Sequence, residues 1–362
     1  MTGLAGHGGV VAAYARCADA PVARGDQVDG RTVTGFTFDP APVSGAPGDR
    51  LLVAGDHTLT RPPDRTVPSA ADSSVRIIRS GPSPVDSLEG DTVTAAPPRL
   101  RAGYERVVVA MGDGGRFVTA LLDALAARHH TTWLVGGAVR DLLHDGSEAR
   151  VNDLDFTGTA GPGELTELAD DRRLRRHGLG DVVCRVSPQL VWSVRPEESP
   201  VSRLIEYRPL ALEEFAFPAY GGDLATDAAT RDLTVNALYY DHRRDTTADP
   251  TGLGRAHLAA TPRVMAVGYE GDDPVAQARV VFRCLKFRLR WPEAEIGGAV
   301  EWIGALPADF ADRIPADGWP RVNAAREMCV PVRDRGARES ALAGELGPAA
   351  ASLVKAIQER TG

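Results

Sequence analysis

Apolar residues in "GRFVTALLDALAARHH" recur at helical spacing, with Phe117, Leu121, Leu122 and Leu125 on one face, which predicts an amphipathic helix. The pattern then changes within a few residues. "TTWLV" is an apolar run of strand length, "GG" is a turn, "AVRDLLHDG" returns to helical spacing and "VNDLDFT" reads as a second strand. Three more strands are expected at "DVVCRVS", "QLVWSVR" and "SRLIEYR", where β-branched and aromatic residues concentrate. Beyond Pro262 the pattern is mostly helical; "PVAQARVVFRCLKFRLRW" is its strongest segment, and the chain closes on the helix-like "AASLVKAIQER". Upstream, residues 1–103 are rich in Gly, Pro, Asp and Ser, with short β-type runs at "RTVTGFTF", "RLLVAG" and "SVRIIRS". The expectation is an α+β protein in three parts: a β-rich region over 1–103, a mixed-sheet domain over 104–262 and a helical part over 263–362.

Composition narrows this picture. A chain of 362 residues with 43% hydrophobic and 25% charged positions has the balance of an ordinary globular protein. The net charge of -8 argues against broad polyanion binding while leaving room for a local basic cleft. The best candidates for such a cleft are "RRLRRH" (172–177) and "KFRLRW" (286–291), although a solvated helix face accounts for the first and a packed helix for much of the second. Cys17, Cys184, Cys284 and Cys329 are scattered and form no CxxC pair, so a reduced, cytoplasmic protein without structural zinc is expected. "MTGLAGHGGVVAAYARC" lacks a basic start before its apolar run, and no stretch approaches the roughly 20 apolar residues of a membrane span. The adjacent His129 and His130 read as a solvated pair.

The candidate chemistry lies in "WLVGGAVRDLLHDGSEARVNDLDFT". A glycine pair after a strand lets the backbone approach a ligand, and the helix that follows points its free N–H groups at the turn, where phosphate oxygens fit. By itself this is a common packing arrangement. The carboxylates of Asp153 and Asp155 add to it: on one strand, i and i+2 share a face, and two carboxylates that close repel unless a cation lies between them. Oxygen donors of this kind suit Mg2+, which takes one or two carboxylates plus substrate phosphates and water.

"LVGGAVRDLL" with "NDLDFT" resembles the head-domain signature of the class II nucleotidyltransferases, the tRNA CCA-adding enzymes and bacterial poly(A) polymerases. "DAATRDLTVNALYYD" resembles the family's D-x-x-R-R-D-F-T-x-N-A motif at Asp227, Arg231, Asp232, Thr234, Asn236 and Ala237, and "ADPTGLG" resembles its D-P-x-G-G turn. The resemblance implies a nucleotidyltransferase palm with a mixed β-sheet over 104–262, a helical neck and a short helical C-terminal part. Gly136 and Gly137 would cradle a triphosphate, with Arg140 and Asp141 bracing the turn and Arg140 near phosphate. Asp153 and Asp155 would hold two metal ions, Mg2+ or Mn2+, and Glu206 is the candidate third catalytic carboxylate. Arg231, Asp232 and Asn236 would contact the nucleotide, ATP or CTP; helix capping is the plainer role for Asp232 and Asn236, since "RDLTVNAL" also reads as a helix start.

Departures from the family pattern are equally specific. Thr230 replaces the first of the two arginines, and the D-P-x-G-G-x-x-D-L turn ends here in His257 and Leu258. In the neck, "DDPVAQAR" keeps Asp272 and Asp273 but has Ala276 where the E-D-x-x-R motif has arginine, leaving Asp273 and Arg279 as nucleotide-binding candidates. Anchored on Arg208, the family's glutamate falls at Arg203 rather than Glu206. The expected function is transfer of a nucleoside monophosphate from a triphosphate to a hydroxyl, with pyrophosphate release. Resemblance makes the acceptor an RNA or tRNA 3′ end. The altered neck, the short C-terminal part and the acidic surface keep a small hydroxylated metabolite in play, and a non-catalytic nucleotide-binding module is the alternative of another class.

Overall fold

The computed structural model describes residues 27–28, 31–32, 36–38, 52–54, 88, 92–151, 153–169, 171, 174, 182–187, 191–197, 204–211 and 223–361. Four short N-terminal strands are β1 (Gln27–Val28), β2 (Arg31–Thr32), β3 (Phe36–Phe38) and β4 (Leu52–Ala54), paired β1 with β2 and β3 with β4. They fall within "RTVTGFTF" and "RLLVAG" or just before them. The run "SVRIIRS", the N-terminal "MTGLAGHGGVVAAYARC", Cys17, Arg203 and, Leu174 apart, the basic run 172–177 lie outside the described residues.

The chain divides into two compact units: residues 1–89, 94–227 and 239–247 in the first, and 90–93, 228–238 and 248–362 in the second. Helix α1 (Pro98–Ala110) runs across the expected boundary at residue 103.

An eight-stranded mixed sheet dominates the first unit. Its strands are β5 (Val93–Ala95), β6 (Thr132–Val135), β7 (Asp155–Gly158), β8 (Val182–Val186), β9 (Trp192–Pro196), β10 (Ile205–Pro209), β11 (Tyr239–Asp241) and β12 (Thr246–Ala248). They lie in the order β5-β12-β11-β6-β7-β10-β9-β8. Only β7–β10 pairs parallel among the registers from β11 to β8; β6–β7, β6–β11, β9–β10 and β8–β9 are antiparallel.

Because side chains alternate along each strand, register sorts the sheet into rows that share a face. One row runs Tyr240, Leu134, Phe156, Tyr207, Trp192, Val186 from β11 to β8. It is apolar, and its first five members are buried. Helices α1, α2 (Asp113–Ala127) and α4 (Pro162–Ala169) supply partners for this side. Tyr104 of α1 stacks edge-on to Tyr240 at 5.8 Å, and Trp192 Nε1 donates to Thr166 Oγ1 of α4 at 3.1 Å. The predicted face Phe117, Leu121, Leu122, Leu125 is buried along α2. Each such side chain removed from water contributes about 1.5–3 kcal/mol.

His130 departs from its sequence reading. His129 is exposed, but His130 is buried, with Nε2 2.7 Å from Glu164 Oε2 and Nδ1 3.1 Å from Thr159 Oγ1. The left-handed backbone of His129 (φ 65) turns the chain into β6 and carries its neighbour inward.

After the short helix α5 (Leu224–Ala229), the second unit is mainly helical: α6 (Gly254–Ala259), α7 (Pro274–Arg290), α8 (Gly297–Gly304), α9 (Trp319–Cys329), α10 (Ala337–Leu346) and α11 (Pro348–Thr361). α7 matches the strongest helical segment of the sequence; it starts at Pro274, where a missing N–H costs nothing, and buries Val275, Ala278, Val281, Phe282 and Leu285. Among the described residues no helix is long and apolar enough to cross a membrane. Beneath α9, α10 and α11 lies a buried ion pair: Arg326 Nε and Nη2 donate to Glu339 Oε1 and Oε2, each at 2.7 Å, while Gln358 Nε2 donates to Glu339 Oε2.

That pair sets a stability prediction. Arg326→Met strands a buried carboxylate and should cost about 3–5 kcal/mol in urea unfolding, whereas Arg326→Met with Glu339→Leu should recover most of the loss.

Candidate active site

Strand β6 ends at Val135, and Gly136 turns the chain with φ 73 and ψ −138, a region essentially closed to residues with a Cβ. Helix α3 (Gly137–Asp145) starts at once, with no side chain capping its first N–H groups. The bend faces an acid: an ideal Cβ on Gly136 would lie 3.7 Å from Asp155 Oδ2. Behind it, Arg140 Nε and Nη2 donate to Asp141 Oδ1 and Oδ2 at 2.8 and 2.9 Å, and the guanidinium sits 3.5 Å from where Gly137 would carry a Cβ. Arg140 is buried. This two-pronged pair clamps the first turn of α3 over the glycines.

Asp155 opens β7. Its register partners are Val135 on β6 and Glu206 on β10, so the bend, Asp155 and Glu206 are consecutive in one row. The full row is Tyr239, Val135, Asp155, Glu206, Ser193, Arg185, opposite in face to the apolar row. Burial falls along it: Tyr239 and Val135 are inside, Asp155, Glu206 and Ser193 half-buried, Arg185 exposed. Asp153 is placed differently from its sequence reading. β7 begins only at Asp155, because β6 turns away at Gly136 and leaves nothing for earlier residues to pair with; Asp153 precedes the strand and is exposed. The i, i+2 alternation therefore does not set its direction.

Among the described residues, no group of three His, Cys, Asp or Glu side chains stands close enough to hold an ion. Two carboxylates on neighbouring strands, about 4.8 Å apart along the sheet, still fit magnesium, whose remaining positions go to water and substrate phosphates rather than to an all-protein cage.

Next to Glu206 on β10, Arg208 shares its face. Arg208 Nη2 donates to Asp227 Oδ1 at 2.7 Å; Ala211 N donates to the same oxygen at 3.2 Å and Tyr239 Oη to Asp227 Oδ2 at 2.7 Å. Asp227 is wholly buried and ties β10 to β11 across β6 and β7. Motif reading included Asp227 without a role; only the register reveals the brace. Tyr207, on the other face, accepts from Ala160 N, and burial pushes its hydroxyl pKa up.

The second unit carries the other motif residues. The expected helix start at "RDLTVNAL" is a single 3-10 turn, Thr234–Asn236, and strand β11 follows it. Asp232 does not cap a helix; its Oδ1 accepts from Leu233 N and Asn236 Nδ2, each at 2.8 Å, and its Oδ2 lies 3.0 Å from Arg283 Nε of α7. Arg231 is half-buried beside it. Asp249 of the "ADPTGLG" turn is buried and receives Thr251 Oγ1, Gly254 N and Arg255 N. His257, at the position of the missing aspartate, places Nδ1 2.9 Å from Thr234 Oγ1. Asp273 is the N-cap of α7, accepting from Val275 N and Ala276 N. On that helix the pKa of Arg279 is lowered, first by loss of hydration and then by Arg283 and Arg321.

A mixed sheet with a glycine bend at one strand end, and a carboxylate pair in register beside it, is the frame of a nucleotidyltransferase palm. Residues 132–261 match the model of the Poly A polymerase head domain, which agrees with the resemblance to class II nucleotidyltransferases carried by the three motifs. Poly(A) polymerase I of Salmonella typhi is 27% identical over 220 residues, covering 57% of this chain and 44% of that protein. The CC-adding tRNA nucleotidyltransferase of Geobacter sulfurreducens is 33% identical over 171 residues, 45% of this chain and 35% of that protein. Among solved structures, a Thermotoga maritima CCA-adding enzyme complexed with tRNA aligns with a TM-score of 0.46 and 18% identity, over 65% of this chain and 50% of that one. The matches thus span less than half the length of the two curated relatives.

The two glycines separate by conformation. Gly136→Ala should destabilise by about 1–3 kcal/mol, the cost of a side chain in that backbone region. Gly137→Ala, which meets Arg140 at ordinary contact distance, should shift thermal unfolding little or slightly upward.

Proposed function

We propose that the chain transfers a nucleoside monophosphate from ATP or CTP to the 3′ hydroxyl of an RNA, with magnesium, releasing pyrophosphate. The observation that supports this most is the placement of Gly136 against Asp155, with Glu206 next in register. The relatives are named for poly(A) synthesis and for CC addition to tRNA, which favours an RNA acceptor over a small metabolite.

In this reading the N–H groups of Gly137 and the following residues of α3 bind the triphosphate oxygens, helped by the positive end of the helix. The bare Cα of Gly136 lets those oxygens come close to Asp155. Arg140 and Asp141 hold the turn rigid, so little reorganisation is needed when the substrate enters. Asp155 and Glu206, with Asp153 as a further carboxylate, would hold the ions and orient them toward the α-phosphate. Magnesium bound there would neutralise phosphate charge and lower the pKa of the attacking hydroxyl. Such transfer asks a protein mainly for positioning and charge neutralisation. Nucleotide contacts by Arg231, Asp232, Asn236, Asp273 and Arg279 are proposed on the motif resemblance alone.

The test is incubation with radiolabelled ATP or CTP, magnesium and a set of RNA oligonucleotides and tRNA, reading label incorporation and pyrophosphate. Asp155→Asn and Glu206→Gln should each lower transfer by more than about 100-fold, beyond the 10–100-fold typical of residues one step removed from a metal. Transfer by wild type that survives Asp155→Asn would overturn the assigned site. Absence of label in every RNA, with label in a metabolite extract, would overturn the acceptor.

A further inference from the structure

The row carrying Asp155 and Glu206 continues beyond them. Ser193 of β9 is in register with Glu206, and Arg185 of β8 with Ser193. Arg195, two residues after Ser193, shares its face and lies opposite Val183. The outer two strands therefore present Ser193, Arg185 and Arg195 on the side of the carboxylates, while Trp192 and Val194 fill the core on the reverse. Seven other arginines of this unit, including Arg128, Arg140, Arg208 and Arg243, have carboxylate partners; Arg99 and Arg106 on α1 and Arg150 before β7 have none among the described residues, but they lie off the sheet. Arg185 and Arg195 make no ion pair among the described residues. Two unmatched cations on one sheet edge contrast with a net charge of -8.

Direction follows from the strand order. Gly136 ends β6, on one flank of Asp155; β10, β9 and β8 lie on the other. In-line displacement puts the attacking oxygen opposite the leaving pyrophosphate. With the triphosphate on the Gly136 side, the acceptor hydroxyl comes from the Glu206 side, and whatever carries it extends over β9 and β8. Three strand spacings separate β7 from β8, about 14 Å, which exceeds the reach of a small acceptor held at the ions and suits a polymer.

Resting on the function proposed above, we infer that Arg185, Arg195 and Ser193 dock the phosphodiester backbone of the acceptor RNA just upstream of its 3′ end. The two arginines neutralise successive phosphates, and Ser193 hydrogen-bonds to the sugar–phosphate chain nearest Glu206. Contacts of this type are blind to base sequence and fix the strand's position.

The experiment combines binding and kinetics on the full chain. Fluorescence anisotropy with a short single-stranded RNA, and initial rates of transfer, are measured for wild type, Arg185→Ala, Arg195→Ala and the double variant, with Arg185→Lys and Arg195→Lys as charge-keeping controls. Each alanine should weaken RNA binding about 5–10-fold and reduce the slope of log K against log salt by about 0.7. KM for RNA should rise in step while KM for the triphosphate stays fixed, and the lysine variants should retain most of the affinity. Unchanged RNA affinity and salt slope in the folded double variant would overturn the assignment, as would a rise in triphosphate KM alone. The failures are separable. A wild type that binds RNA with the expected arginine dependence but transfers nothing overturns the catalytic reading only; transfer to RNA that ignores both arginines overturns this surface only. Transfer to a small hydroxylated molecule at an RNA-independent rate, with no RNA binding, overturns both.

Discussion

Everything at the candidate site depends on how β7 is paired. Antiparallel to β6, it meets Val135 at Asp155 just as β6 gives way to the Gly136 bend; parallel to β10, it meets Glu206 at the same residue. One strand thus brings a side-chain-free turn and two carboxylates into a single row. Shifting either pairing by one residue would send Asp155 or Glu206 to the apolar face. The apolar row beneath, Tyr240 to Trp192, makes that shift expensive, because it would expose a continuous line of aromatic and aliphatic side chains. The core specifies the site by fixing register.

Two carboxylates of the first unit have been spent on rigidity. Asp227 gathers Arg208, Tyr239 and a backbone N–H in a fully buried position, and Asp141 holds Arg140 against the first turn of α3. The buried Asp227 and the half-buried Asp141 are tolerable because each is met by a guanidinium, Asp227 by further donors as well. The consequence is preorganisation: strands β10 and β11 are tied across the pair between them, and the bend is held from behind. In the second unit, Asp232, Asp249 and Asp273 are likewise occupied with local donors, so the acidic residues of these motifs shape turns and a helix start whatever else they do.

The departures from the family pattern acquire physical content in this light. His257 reaches Thr234, supplying a side-chain link at the end of the turn without the aspartate. Asp273 caps α7, and Arg283, one turn beyond Arg279, reaches Asp232. The neck helix is therefore joined to the "RDLTVNA" segment through a pair that no motif in the chain announces.

Much of the first unit was legible in the chain alone. Amphipathic spacing along Phe117 to Leu125, the short strands at "TTWLV", "DVVCRVS", "QLVWSVR" and "SRLIEYR", the glycine bend and the helix after it are local features, written in periodicity and in glycine's lack of a Cβ. What lay beyond the sequence was every relation between elements. Alternation tells which residues of a strand share a face; it cannot say which residue of another strand lies alongside, because that is settled by burial of distant apolar side chains. So of Asp153 and Asp155, two apart in the chain, only Asp155 lies within the strand, while Glu206 comes to Asp155 from far along it. His130 goes inside and the helix start at Asp232 shrinks to one turn for the same reason: pairing of β6 and β11 claims the neighbouring backbone. Element type and the chemistry each element carries are local and can be read from the chain; register emerges only on folding, because pairing energy is summed over whole strands and a single residue cannot encode it.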